Sequence, residues 1–85
     1  LARPAPADSK LYHLRRFYYD TAAAADAVHV GILKMIVSTS QIVFGTDYPW
    51  GEPVNIIAGL QKAGLTAQEL QAIYRGNAVK IIPNL

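Results

Sequence analysis

The chain contains no cysteine. This removes disulfide frameworks, thiolate metal sites and cysteine nucleophiles together. Charge is scarce as well. Only 16% of the residues are Asp, Glu, Lys or Arg, and the formal net charge is +2. The basic residues are scattered along the chain, so nothing here reads as a nucleic-acid footprint. Long hydrophobic runs are missing too. The most apolar stretch, residues 22–37, is interrupted by Asp26, His29 and Lys34, whereas a membrane helix needs roughly 20 predominantly apolar residues. Neither a nucleic acid nor a membrane is therefore expected as a partner. Gly45 and Gly51 stand too far apart for a phosphate-binding loop, and no serine sits in a nucleophile elbow. The first six residues, Leu-Ala-Arg-Pro-Ala-Pro, hold neither an initiator Met nor an apolar signal core. The expectation is a cytoplasmic chain that is a processed product or an excised piece.

Apolar residues are what the chain has in abundance. They make up 52% of 85 residues, which excludes disorder for most of the length and fits one domain. A domain this small buries only about 60% of the surface its unfolded chain exposes. Without disulfides, part of the apolar surface is expected to meet a partner: another copy, or a chain that completes the fold.

Residues 1–9 read as an extended Pro/Ala-rich arm, and 10–85 as one structural segment. Leu11, Leu14 and Phe17 suit one face of a short helix. Phe17-Tyr18-Tyr19 is an aromatic run with strand character, expected to be buried on both faces. Thr21 is the predicted N-cap of a helix through residues 22–37, opened by four strong helix formers, Ala22 to Ala25. Val28, Ile32, Met35 and Ile36 form one apolar stripe on it. Val30, Leu33 and Val37 form a second. Ile42-Val43-Phe44 reads as another short strand, stopped by Gly45. Residues 46–53 read as a structured loop. A further helix carries Val54, Ile57, Ala58 and Leu60. Thr66 and Glu69 make a capping box, with Leu65 and Leu70 placed as a hydrophobic staple. Gly76 is predicted to end the helix that follows, and Asn77 to cap a last turn.

Strand, helix and strand in this order predict a right-handed crossover with parallel strands. Two parallel strands alone do not make a stable sheet, so the unit should add its strands to a larger one or pair with copies. In such units chemistry gathers at the carboxyl ends of the strands. Asp20 follows the first strand and Asp47 the second. His13, in a mixed segment, and His29, within a helix, form no pair at metal-ligand spacing.

Val43-Phe44-Gly45-Thr46-Asp47-Tyr48-Pro49-Trp50 resembles the end of the eighth strand in metal-dependent amidohydrolases. The nearest branch is that of aminocarboxymuconate-semialdehyde decarboxylase. Phe17-Tyr18-Tyr19-Asp20-Thr21-Ala22 looks like that family's seventh strand. Ile73-Tyr74-Arg75-Gly76-Asn77-Ala78 looks like its closing helical motif. The resemblance implies an α/β chain that is the last βαβα portion, strands 7 and 8 with their helices, of a (β/α)8 TIM barrel. It implies Asp47 as a metal ligand, usually to zinc, and a proton-transfer group. Tyr48 and Trp50 would shape the mouth of the pocket, with Asp20 nearby. The substrate it implies is a small carboxylated aromatic or unsaturated acid, and the reaction a decarboxylation or hydrolysis. The family's histidine ligands from earlier strands are not in this sequence. A catalytic zinc takes about three protein ligands, so the isolated chain is expected to be inactive. A non-catalytic, self-associating α/β module is the alternative.

Overall fold

The computed structural model describes residues 4–7 and 9–82. Of the expected N-terminal arm, residues 4–7 carry no helix or strand; residues 1–3 and 8 lie outside the described residues, as do 83–85. The chain is a mixed α/β unit. Helix α1 covers Lys10–Leu14, strand β1 Tyr19–Asp20, helix α2 Ala27–Ile36, and a 3-10 turn Thr39–Gln41. Strand β2 is Ile42–Val43, helix α3 Pro53–Gln61 and helix α4 Ala67–Gln71. A π-helical turn, Ala72–Gly76, joins α4 to α5, Asn77–Ile81.

The two strands pair in parallel, with Tyr19 opposite Ile42 and Asp20 opposite Val43. The helical connection through α2 makes this geometry reachable, because parallel neighbours need a long crossover. The first strand begins later than its aromatic run predicts. Gln41 Nε2 donates to the carbonyls of Arg15 at 2.6 Å and Phe17 at 3.0 Å. Those carbonyls are taken by a side chain and not by a ladder. Phe17 and Tyr18 consequently stand 60% and 52% exposed, where burial on both faces was expected.

Helix α2 also starts late. Asp26, not Thr21, is its N-cap, accepting from the His29 N–H at 2.9 Å. Residues 22–24 form a turn in spite of their alanines. Tertiary packing overrides propensity here. A Cβ on Gly59 would lie 1.9 Å from the Ala25 carbonyl oxygen, so α3 rests directly on this turn and only glycine fits. Of the two stripes on α2, Val30 and Val37 at its C-terminal edge are buried and Leu33 half-buried, whereas Val28, Ile32 and Met35 face outward.

The capping box forms as read. Thr66 accepts from the Glu69 N–H at 3.1 Å, and Glu69 accepts from the Thr66 N–H at 2.9 Å. Leu65 and Leu70 pack on the core. The helix does not end at Gly76, however. It runs on through the π turn, and Asn77 is buried. The Asn77 amide donates at 2.7 Å to both the Thr39 and Ile42 carbonyls, so it ties the last helix to the entrance of β2 instead of capping a turn. Val30, Val37, Ile42, Leu60 and Ile73 form the buried core between the strand pair and the helices.

Candidate functional site

The candidate site lies where β1 and β2 end. Thr21, 1% exposed, follows β1 directly. Its hydroxyl donates to the Gly45 carbonyl at 2.9 Å and accepts from the Gly45 N–H at 3.1 Å. A hydroxyl can do both at once. The pairing of the two strands is thereby carried past their last ladder residues, with one side chain standing in for a neighbouring backbone. This clamp fixes where the Gly-Thr-Asp segment leaves the sheet.

Asp20 is the last residue of β1. Its Oδ1 accepts from the Ala22 N–H at 2.9 Å, a local turn of the kind aspartate favours. Its side chain also lies against Gly45, where an added Cβ would meet the Asp20 Cβ at 3.0 Å. Asp20 thus holds the turn that leaves the strand.

Asp47 is placed differently. It is exposed and its backbone is left-handed, with φ of 58°. Its carbonyl accepts from the Trp50 N–H at 2.8 Å and the Gly51 N–H at 2.9 Å. Those two bonds close a tight loop through the cis peptide Tyr48–Pro49. The loop needs glycine at 51, because a Cβ there would lie 1.8 Å from the Thr46 carbonyl oxygen. The Thr46 hydroxyl accepts from the Tyr48 N–H at 3.3 Å. Among the described residues nothing donates to the Asp47 carboxylate. Tyr48 and Trp50 extend from the same loop, 70% and 85% exposed, with their rings in solvent.

The histidines do not join these carboxylates. His13 lies in α1, and His29 in the first turn of α2, where its Nδ1 sits 2.7 Å from Asp26 Oδ2. The His29 backbone N–H, helped by that ring, holds the Asp26 carboxyl below its ordinary range. Among the described residues no three His, Cys, Asp or Glu side chains gather where a metal could be held. One unpartnered carboxylate does not fit a zinc by itself, so no step through a metal is assigned to this chain's own residues. The buried Thr21 and Asn77 escaped sequence reasoning in their actual roles. The signal was present only as two polar residues beside apolar runs. Comparison with protein-family models, with curated proteins and with solved structures gave no match.

Proposed function

We propose that the chain is the C-terminal βαβα portion of a metal-dependent amidohydrolase-type (β/α)8 barrel. In this reading Asp47 supplies one carboxylate to a metal site, most simply zinc, whose remaining ligands come from strands outside this chain. The observation that carries it is Asp47 itself. It is an exposed carboxylate without a described partner, held by a left-handed residue in the loop leaving the second of two parallel strands. Strained backbone tends to accumulate at functional positions, and strand carboxyl ends are where such folds do chemistry. Tyr48 and Trp50 would shape the pocket mouth and Asp20 the neighbouring turn. The substrate class follows the sequence resemblance: a small carboxylated aromatic or unsaturated acid, decarboxylated or hydrolysed by the complete enzyme in the cytoplasm. The chain alone is inactive in this reading.

The test uses the longest open reading frame containing this chain. The product should bind about one divalent metal per active site and turn over such an acid. Asp47→Asn should lower metal occupancy and reduce turnover by at least about 100-fold, the scale on which a lost charged ligand or proton-transfer group acts. An Asp47→Asn enzyme with unchanged metal and turnover would refute the assignment.

A second reading is favoured by a separate observation. Val28, Ile32 and Met35 lie on one face of α2 and are 69%, 53% and 70% exposed. A non-catalytic α/β module that self-associates through this face would cover them.

A further inference from the structure

We propose a second ligand site, for a small planar organic anion, in a cavity lined by His13, Arg16 and Phe17. This inference does not depend on any role for Asp47. The cavity is a half-open surface cleft with a volume of about 220 Å³. A cavity of roughly 150 Å³ is enough for a benzene ring, so there is room for one ring with a carboxylate.

The lining supplies what such a ligand needs. Arg16 offers a planar fork of N–H donors that matches a carboxylate and also stacks on rings. The Phe17 ring, 60% exposed, offers an open aromatic face or edge. His13 adds a ring nitrogen, and its ring makes an edge-on contact with Tyr12, with centroids 5.4 Å apart at 83°. None of these three is a carboxylate that would repel an anion. Between Asp8 and Asp20 the sequence has Lys10, His13, Arg15 and Arg16 and no acidic residue.

The segment is also held in place, so the cavity need not be assembled by its ligand. Arg15 Nε donates to the Ile36 carbonyl at 2.6 Å, Gln41 donates to the Arg15 and Phe17 carbonyls, and the Tyr19 hydroxyl donates to the Leu14 carbonyl at 2.7 Å. Three of these four bonds reach across more than 20 residues of chain. His13, Arg16 and Phe17 precede β1, whereas Asp20 ends β1 and Asp47 follows β2. The two sites therefore belong to opposite ends of the strand pair.

Titration of the 85-residue chain with benzoate, followed by amide and ring NMR shifts, tests this. Saturable shifts confined to His13, Arg16, Phe17 and their neighbours are expected, with Kd on the order of 1 mM for so small a ligand. Arg16→Gln should weaken binding about tenfold and Phe17→Leu about threefold. Both side chains are exposed, so both variants should keep the wild-type spectrum elsewhere. Acetate, which has no ring, should bind at least about tenfold more weakly than benzoate. No saturable shift up to roughly 50 times that Kd, equal binding of acetate, or undiminished binding by Arg16→Gln would each overturn the proposal. So would tighter binding of a single-stranded oligonucleotide at the same residues, which would make this a nucleic-acid surface.

Discussion

A left-handed backbone costs an ordinary L-residue about 1–2 kcal/mol, and aspartate is among the few types that adopt it at all. Asp47 occupies that region while its carboxylate makes no hydrogen bond to any described residue. The side chain returns nothing to the fold that glycine would not. Asp47→Gly should therefore leave the chain as stable as wild type, or up to about 1 kcal/mol more stable, since glycine relieves the strain but is freer when unfolded. Urea unfolding of the two chains measures this. A loss above about 1 kcal/mol would show the carboxylate to be a structural anchor and would remove the reason for placing function there. Gly51 and Thr21 mark the contrast at the same rim. Gly51 is required by the close approach of the Thr46 carbonyl, and Thr21 by the two partly buried backbone groups of Gly45 that it satisfies. Removing such a partner leaves a partly buried donor and acceptor unpaired, and about 1–3 kcal/mol for each group is the upper range, reached when burial is complete.

At the scale of elements, the caps make pH-dependent stability predictable. Glu69 closes the capping box at the start of α4. The Thr66 backbone N–H, and secondarily Lys34 at 3.5 Å, holds its carboxyl below the ordinary value of 4.5. A carboxyl whose value is lowered on folding contributes stability that is fully present above its unfolded value and is lost as pH falls through the folded one. The stability difference between wild type and Glu69→Gln should thus be constant near neutral pH and shrink from about pH 4.5 downward. Thermal unfolding of both chains between pH 7 and pH 3 follows it, and a gap that widens on acidification would contradict the assignment. This box was legible in the sequence because its partners are three residues apart. Thr21 and Asn77 were not. Their partners are 24 and up to 38 residues away, so each looked like a local cap, the only role that neighbouring residues could suggest. The alanines at 22–25 misled for the same reason, since Gly59 of α3 presses on that turn from a distance. The order of elements, the parallel pairing and the position of Asp47 beyond β2 could be read in advance, because apolar runs and breakers report them directly. The left-handed backbone of Asp47 could not, because it is set by the loop closing on Gly51.

For the whole molecule, the question is what its surface is built to meet. Among the described residues the buried core consists of five side chains, Val30, Val37, Ile42, Leu60 and Ile73. Among the described residues the sheet above it has two strands, and each presents an edge that no described strand pairs. Parallel sheets are ordinarily covered on both faces and extended on both sides. This unit instead leaves Val28, Ile32 and Met35 of α2, and Val54 of α3, in solvent. Both readings of function supply a cover, and they differ in what it is. In a barrel, the cover is the rest of the same fold, and the isolated chain has no partner with the matching surface. In a self-associating module, the cover is another copy, and the outer face of α2 is the place where it sits. A double variant, Ile32→Gln with Met35→Glu, separates the two. Both side chains are more than half exposed, so the substitutions should change the stability of the folded monomer by no more than about 0.5 kcal/mol. If copies meet through this face, light scattering will show a wild-type mass that rises with concentration and a variant that stays at the mass of one chain. A wild-type chain that remains monomeric at millimolar concentration would end the self-association reading. A variant that still assembles would move the contact from α2 to the open strand edges, which template pairing on their own.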